Sequence, residues 1–488
     1  LAAAVIGRMR SLPVTVMAAV LLSVVSQAAS YALPNDKAMI NVGVFVVIAA
    51  GLLLQRKALV RGEDSGTESW QATAEQRPIP KELRSVPSVR ITRLAFIVVG
   101  LLFVVAYPFM VSTRLVNLGG VIALGTIVIL SLVVLTGWAG QVSLGQYAFA
   151  AIGAVVGGAL SARAGLSFWL AVPLATVITG GIALLVGLPA LRIKGLFLAV
   201  TTFAMAFAVQ AALFQPRYFG WILPKPDGAP TRPTLFFIDF TDEKSMYFLC
   251  VAALVVTLVV VNNLRKSRFG RLLIAIRDNE ANVQSFGVNV VRLKLAAFVI
   301  AGAMAGFSGA IFVHQQQALD ANAFGADVSL QFFILAVLGG ITSVSGALLG
   351  SAYGNVVQFF LAGNPIVAVI LSFGGPLLLV YLVPGGLISV ISKLRDSVLR
   401  IIAQRRQLVV PSLFADYDPD ALEARLIQLA EPSADTGLAA LPPGTRFRLA
   451  SELYQGDGER IVDKLATAKE SKEAAALTAA SESVRDEA

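Results

Sequence analysis

The sequence predicts an all-α, polytopic integral membrane protein, and three observations support this fold class. Of the 488 residues, 56% are hydrophobic and only 14% are charged, and the mean hydropathy is +0.76. Apolar runs of about 17–25 residues, the length at which a helix crosses a bilayer, recur along the chain without a charged face. Lys and Arg, which exceed Asp and Glu by 39 to 30, gather in the short segments between these runs. This composition excludes an ordinary soluble domain.

The first two predicted spans are residues 12–33 and 37–54, each a largely apolar run. Residues 55–92 are polar, contain several prolines and show no apolar periodicity. A segment of this kind is typical of a linker rather than of a packed element. We therefore expect the chain to contain two membrane parts joined by a cytoplasmic linker.

A short internal similarity relates the two membrane parts. Residues 4–12 align with residues 336–344, and each copy is followed by two more spans and a polar segment. We therefore expect residues 1–54 to be the C-terminal end of a first membrane unit, and residues 93–392 to be a complete second unit. The alternative is a chance similarity between two apolar segments.

The second unit is predicted to contain about ten spans. A hydropathy window of about 19 residues places them at 93–111, 117–136, 147–162, 168–188, 195–214, 246–263, 293–316, 327–342, 345–362 and 366–391. Residues 393–488 are charged and Ala-rich, and they are predicted to form a cytoplasmic tail that is partly helical or disordered.

The distribution of basic residues predicts the orientation of the spans. Basic clusters lie at 8–10, 56–93, 192–194, 265–277 and 393–400. An even number of predicted spans separates each cluster from the next, so all of these segments can lie together on the cytoplasmic side. The loop that precedes the span at 246–263 then lies outside. Because topology explains the positive charge, no nucleic-acid partner is predicted.

A Gly-rich interruption at residues 135–149 breaks the apolar pattern of the second unit. Irregular backbone at membrane depth must be buried in protein or line a wet cavity, and such segments mark substrate pathways in transporters. Uncharged polar side chains suit the transient passage of a polar solute. The alternative is that the glycines only pack helices, while Gln141 and Ser143 form hydrogen bonds between helices. Thr201 and Thr202 lie inside the predicted span at 195–214, where they either line a cavity or bond to carbonyls of their own helix. The residues predicted to line a translocation pathway are Gly137, Gly140, Gln141, Ser143, Gly145, Gln146, Thr201 and Thr202.

The segment at residues 265–291 is the best candidate for contact with a cytoplasmic partner. It is charged and amphipathic, and its acidic and amide residues exceed what a loop that merely sets topology needs. Such a segment can dock on a partner and transmit movement to the spans on either side. The alternative is a positive-inside loop without a coupling role. The residues predicted to act in coupling are Arg271, Arg277, Asp278, Asn279, Glu280 and Gly287.

The sequence also excludes several chemistries. With a single Cys and a single His, the chain cannot form an internal disulfide or a Cys/His metal site, and no cofactor is predicted. It contains no Gly-x-x-x-x-Gly-Lys-Ser/Thr motif, so it is predicted not to hydrolyse ATP through a P-loop and not to be an enzyme. The interiors of the predicted spans at 93–392 carry no acidic residue, whereas gradient-driven transporters commonly use one. Transport powered by a partner is therefore favoured.

The stretch Gly137-Trp-Ala-Gly-Gln-Val-Ser-Leu-Gly145 resembles the signature of the permease subunits of branched-chain amino acid (Liv-type) ABC importers. Three further passages agree with that family in the same order, at residues 188–202, 267–290 and 337–346. One departure is at Gln146, where the family commonly has His. Because Gln cannot titrate, a proton-carrying role at this position is in doubt.

The resemblance implies the transmembrane permease of an ATP-binding cassette importer in a bacterial inner membrane. Its implied partners are cytoplasmic ATP-binding subunits, which contact the segment 265–291, an extracytoplasmic solute-binding protein, membrane lipid, and leucine, isoleucine or valine as solute. It further implies a fused pair of permease units, truncated at its start. The alternatives are a permease for urea, short amides or other small polar solutes, a passive channel or gradient-driven carrier, and a membrane anchor.

Overall fold

The computed structural model describes the chain over residues 12–32, 43, 87–190, 196–223, 232–235, 238–361, 363–364, 367, 370–383 and 385–405. The predicted span at 37–54 (residue 43 apart), most of the linker and the tail beyond residue 405 lie outside the described residues. Predictions for those segments stay predictions.

Almost all of the described residues that have regular structure are helical, which confirms the all-α fold class. Within the described residues, the helices before the β-strands are α1 (Leu12–Ala32), α2 (Pro87–Met110), α3 (Thr113–Leu132), α4 (Gln146–Ala162), α5 (Phe168–Ala190), α6 (Leu196–Leu213) and α7 (Pro216–Phe219). A minimal antiparallel pair follows, in which β1 (Thr234–Leu235) pairs with β2 (Ile238–Asp239). The remaining α-helices are α8 (Glu243–Lys266), α9 (Arg268–Asp278), α10 (Glu280–Ser285), α11 (Val290–Gln316), α12 (Ala326–Gly339), α13 (Val344–Leu361), α14 (Gly375–Leu382) and α15 (Leu387–Arg405).

Seven of the described helical segments are long and apolar enough to cross a membrane. They are Val89–Met110, Thr113–Trp138, Phe168–Leu188, Glu243–Lys266, Val290–Gln316, Val344–Leu361 and Ile370–Leu399. The other three spans predicted between residues 93 and 392 correspond to shorter apolar helices, Gln146–Ala162, Leu198–Leu213 and Ala326–Gly339. This pattern of long and short apolar helices is that of a polytopic membrane protein.

The last predicted span, 366–391, differs from the structure because it is not one continuous α-helix. A π-helical turn at Ile370–Gly374 leads into α14, which ends at Leu382. The chain then turns through Gly386, whose φ is +73°, and α15 begins at Leu387. The hydropathy average does not fall at this interruption, because the turn residues are themselves apolar or small. The left-handed conformation depends on a single glycine, and hydropathy does not report backbone conformation.

By its internal packing the chain divides into two units. The first comprises residues 1–76 and 103–390, and the second comprises residues 77–102 and 391–488. The described part of the second unit consists of two helical stretches. All of the residues discussed below as a candidate site belong to the first unit.

Helix α11 lies at the centre of the first unit, where it packs most extensively against α4 and α5. Small residues permit this close approach. A Cβ atom added to Gly153 of α4 would meet the backbone of Gly306 on α11, and one added to Gly309 would meet the carbonyl of Ala150. Close backbone contact of this kind is the usual way in which helices associate where apolar burial alone gives no preference.

Candidate functional site

The Gly-rich interruption forms a buried break between α3 and α4. Helix α3 continues as a π-helical turn at Val133–Trp138, and the chain is then irregular until α4 begins at Gln146. The Thr136 hydroxyl donates to the carbonyl of Gln141 over 2.9 Å, and the amide of Gln141 donates to the carbonyl of Leu135 over 3.1 Å. The freed backbone groups are thus partly satisfied within the break itself, as burial requires.

Hydroxyl groups from two other helices satisfy the far end of the break. The amide of Leu144 donates to Thr202 Oγ1 of α6 over 3.0 Å. Ser329 Oγ of α12 donates to the carbonyl of Leu144 over 2.7 Å, and the amide of Tyr147 donates to the same hydroxyl over 3.2 Å. Thr202 also donates to the carbonyl of Ala199 over 2.9 Å, so it bonds to its own helix. The break is therefore fixed between α6 and α12.

The turn at residues 340–343, between α12 and α13, packs on the near end of the break. A Cβ added to Gly137 would meet the carbonyl oxygen of Ile341, so the two backbones approach as closely as a glycine allows. Trp138 Nε1 donates to the carbonyl of Thr342 over 3.4 Å. Gly340 starts this turn with φ +112°. The amide of Ser343 donates to the carbonyl of Gly340 over 2.9 Å, which closes the turn.

Arg277, near the end of α9, joins the predicted coupling segment to the break. Its Nη1 donates to the carbonyl of Gly137 over 2.8 Å. Its Nε and Nη2 lie 3.0 and 2.9 Å from Asp278 Oδ1. Gly140 has φ +68°, and a Cβ there would lie 3.2 Å from Arg277 Cγ. Two groups of residues predicted separately from the sequence therefore meet at one guanidinium.

The predicted coupling segment forms two short helices, α9 and α10, that meet at Asn279. Asn279 caps α10, because its Oδ1 accepts from the amide of Asn282 over 2.9 Å. Leu273 and Ile276 face inward and are buried, whereas Arg271, Asp278 and Asn279 are exposed. The segment is thus an amphipathic element with one face on the bundle and one face free.

The predicted coupling residue Glu280 is tied to the bundle. Its Oε2 lies 2.7 Å from Nζ of Lys294 on α11, and both side chains are partly buried. Gly287 follows α10 with φ +76°, a conformation that ends the helical path. Beside it, the Phe286 side chain is 84% exposed. The tip of the segment therefore presents an apolar side chain to its surroundings.

Two buried carboxamides of the break have polar atoms without a hydrogen-bond partner among the described residues: Gln141 Oε1 and Gln146 Nε2. The Ser143 hydroxyl lies 3.5 Å from Gln146 Oε1, at the limit of a hydrogen bond. Buried polar groups are normally paired. Unpaired buried groups of this kind are commonly satisfied by a bound water. In the part of the chain that the structure describes, no group of His, Cys, Asp and Glu residues could hold a metal ion.

A cavity of about 280 Å³ lies beside α4, directly beyond the break. It is close to the lower end of the range of roughly 300–1,000 Å³ for small-molecule sites. Its wall includes Tyr147, which follows the break, and the polar residues Gln331, Asn355 and Gln358 of α12 and α13. None of the eight predicted pathway residues lines it. Their role in the pathway stays a prediction.

The residues that the sequence analysis missed are mostly those that hold the break in place. Ser329 and Lys294 are polar residues in apolar helices, and nothing in their local sequence distinguishes them. Thr342 lies in the passage 337–346, but its contact with Trp138 is made by its backbone carbonyl. Gln331 and Gln358 gave a usable signal, because a carboxamide inside an apolar span has few reasons to be there other than pairing or contact with a solute. Thr201 is partly buried on α6 beside Thr202.

Comparison with known proteins agrees with this architecture. The LivM protein of Escherichia coli strain K12, a high-affinity branched-chain amino acid transport system permease protein, is 30% identical over 294 residues, covering 55% of this chain and 68% of that protein. The protein of the same name from Salmonella typhimurium strain LT2 is 29% identical over the same length and shares. A probable LivM permease of Methanocaldococcus jannaschii is 28% identical over 195 residues, 39% of this chain and 55% of that protein. No solved structure matches the chain.

The family described as "Branched-chain amino acid transport system / permease component" matches residues 114–391. This range is more than half of the chain, and it contains the break, the segment α9–α10 and the cavity. The chain therefore belongs to the family of branched-chain amino acid transport system permease components, and it is a multi-pass membrane protein.

Proposed function

We propose that this chain is the transmembrane subunit of an ATP-driven importer for branched-chain amino acids. The family and the names of the similar proteins support this substrate class. Because the sequence lacks a P-loop, hydrolysis of ATP belongs to separate subunits that bind on the cytoplasmic side. A solute-binding protein delivers leucine, isoleucine or valine on the opposite side. The chain itself performs no covalent chemistry.

The observation that carries this proposal is the contact between Arg277 and Gly137. The segment α9–α10 has an exposed face on which ATP-binding subunits can dock, and Arg277 lies at its junction with the bundle. A guanidinium provides several donors in a rigid planar group. A displacement of α9 therefore moves the backbone at Gly137 through this contact. The docking of ATP-binding subunits on the cytoplasmic surface is thereby linked to the irregular backbone of the break within the bundle.

The break is a suitable place for such a displacement to act. Its backbone follows a π-helical turn and an irregular stretch rather than a continuous helix, and such interruptions are where helices bend. It is bonded to α12 through Ser329 and packs on the turn at residues 340–343 through Gly137. Movement of α9 can thus reach helices α4 and α12, which border the cavity.

The orientation and the subdivision of the chain belong to the same proposal. In a bacterial inner membrane, segment 265–291, the linker and the tail would face the cytoplasm, and the loop at 215–245 would face outward, where the binding protein docks. Residues 1–54 would be the end of a first permease unit and residues 93–392 a complete second unit. The even number of predicted spans between basic clusters supports this orientation.

The direct test is uptake of radiolabelled leucine into proteoliposomes that hold the permease, its ATP-binding subunits and its binding protein. We expect uptake that requires hydrolysable ATP and that unlabelled isoleucine and valine inhibit. The control contains ATP-binding subunits that bind ATP but cannot hydrolyse it. Uptake with that control would contradict the ATP-driven importer, and competition by urea or short amides instead of isoleucine would contradict the proposed substrate class.

A further inference from the structure

The cavity beyond the break has a polar wall made of three carboxamides, Gln331 of α12 and Asn355 and Gln358 of α13. We propose that this wall is a transit site for the ammonium and carboxylate groups of a net-neutral amino acid. The inference rests on the proposed function and deepens it, because it names residues that contact the solute. None of them belongs to the Gly-rich signature or to the coupling segment.

Hydrogen bonds hold the three carboxamides in place and leave one polar atom of each without a partner among the described residues. Gln358 Nε2 donates to Gln331 Oε1 over 2.9 Å, and Asn355 Nδ2 donates to the carbonyl of Ser351 over 2.9 Å. Gln331 Nε2, Asn355 Oδ1 and Gln358 Oε1 have no hydrogen-bond partner among the residues that the structure describes. Two free acceptors suit an ammonium group, and the free amide donor suits a carboxylate.

The rest of the cavity lining is mostly apolar and includes stacked aromatic rings. Tyr147 stacks on Phe332 with ring centroids 4.4 Å apart and on Phe324 with centroids 5.5 Å apart. Leu124 and Leu335 also line the cavity. Stacked rings with few rotatable bonds form a surface of fixed shape. An aliphatic side chain can therefore pack on this surface while the charged groups of the same amino acid face the carboxamides.

The charge of the cavity sets its preference. None of the described residues that line it is an Asp, Glu, Lys or Arg. A neutral wall offers no counter-charge to a solute with net charge, whereas a zwitterion can pair both of its charged groups with amide dipoles. The same lack of full charges keeps binding weak. A transit site needs weak binding because release is the next step.

Thiol labelling tests the site directly. Cys250 is the only cysteine in the sequence and is fully buried, so Val121→Cys in a Cys250→Ala permease introduces one reactive group into the cavity lining without removing a carboxamide. We expect a small thiol reagent to label it, and an excess of leucine, but not of lysine, to slow labelling about tenfold. Asn262→Cys, at an exposed position of α8, is the matched control whose labelling leucine leaves unchanged. Equal labelling with and without leucine, or equal protection by lysine, would overturn the transit site.

Uptake distinguishes failure of this inference from failure of the proposed function. We expect Asn355→Leu and the volume-conserving Gln358→Met to lower kcat/KM for leucine uptake about tenfold each, while ATP hydrolysis stimulated by the loaded binding protein persists. Asn262→Leu should transport leucine like the native protein. If both cavity variants also do so, the transit site is wrong. If the native protein takes up no leucine, the proposed function is wrong instead.

Discussion

At the scale of single residues, Arg277 is the group with the most specific requirement. It contacts Gly137 and Asp278 through three nitrogens of one planar fork. Lysine keeps the charge but has a single nitrogen, so it cannot make both contacts in the same geometry. We expect Arg277→Lys to lower ATP-dependent leucine uptake about tenfold while ATP hydrolysis continues, which is the signature of uncoupling.

The control for this prediction is Arg268→Lys, at an exposed position at the start of the same helix. It makes the same chemical change without a contact to the break, and it should leave uptake unchanged. Uptake by Arg277→Lys at the native rate would contradict a role for the guanidinium in coupling. A loss of ATP hydrolysis together with uptake would indicate failed assembly with the ATP-binding subunits.

Gly137 is a position at which an added methyl group should destabilise the protein. A Cβ at this position would meet the backbone oxygen of Ile341, which cannot move away as a flexible side chain could. We expect Gly137→Ala to lower the free energy of unfolding in detergent by about 1–3 kcal/mol. Gly181→Ala places its Cβ in open space on helix α5 and should be neutral or stabilising, by up to about 1 kcal/mol. Equal thermal stability of the two variants would contradict this prediction, because it would show that the backbone at Ile341 moves away from the added methyl group at little cost.

At the scale of elements, the segment α9–α10 is held to the bundle by the ion pair between Glu280 and Lys294, by the hydrogen bond from Arg277 to Gly137 and by its apolar face. Glu280 and Lys294 are 2.7 Å apart, so the sequence-based role for Glu280 in binding a partner competes with a role as a tether. We expect the swapped pair Glu280→Lys with Lys294→Glu to recover most of the uptake that Glu280→Lys alone loses. Because the pair is partly exposed, its effect on stability should be below about 1 kcal/mol.

A failure of the swap would decide between the two roles. If Glu280→Lys and the swapped pair are equally inactive, the carboxylate at position 280 contacts the ATP-binding subunit, as the sequence alone suggested. Uptake in proteoliposomes is the measurement, with the stimulated rate of ATP hydrolysis recorded in the same samples. Lys294→Gln serves as a further control, because it breaks the tether without altering the surface at position 280.

The elements themselves could largely be predicted, because hydropathy measures the length of chain that hydrocarbon can accommodate. The predicted spans at 168–188 and 293–316 differ from helices α5 and α11 by two and three residues at one end. Helix α2 starts six residues before its predicted span, at Pro87, because helical hydrogen bonding continues where the apolar run has stopped. Backbone interruptions such as the one at Gly386 depend on a single left-handed residue, to which hydropathy is insensitive.

At the scale of the whole molecule, the sequence could predict which residues are functional candidates but not which of them meet. Arg277 and Gly137 are separated by 140 positions, and Gln331 and Gln358 by 27. The contact between Gln331 and Gln358 arises where α12 packs on α13. A Cβ added there to Gly350 would meet the carbonyl of Leu335, so small residues rather than hydropathy decide which helix faces approach. The sequence therefore cannot predict the cavity beyond the break, although each of its polar residues can be recognised as unusual within an apolar span.

The orientation of the whole molecule is the last prediction. Helix α8 has 24 residues, enough at about 1.5 Å per residue to cross a hydrocarbon core of about 30 Å. The exposed residues Trp221 and Ser285 precede and follow it, so they should lie on opposite sides of the membrane. In a Cys250→Ala background, a membrane-impermeant thiol reagent added to intact cells should label Trp221→Cys, and should label Ser285→Cys only after permeabilisation. The reverse pattern would invert the topology and place α9–α10 outside, away from ATP. Labelling of both in intact cells would mean that α8 does not cross the membrane at all.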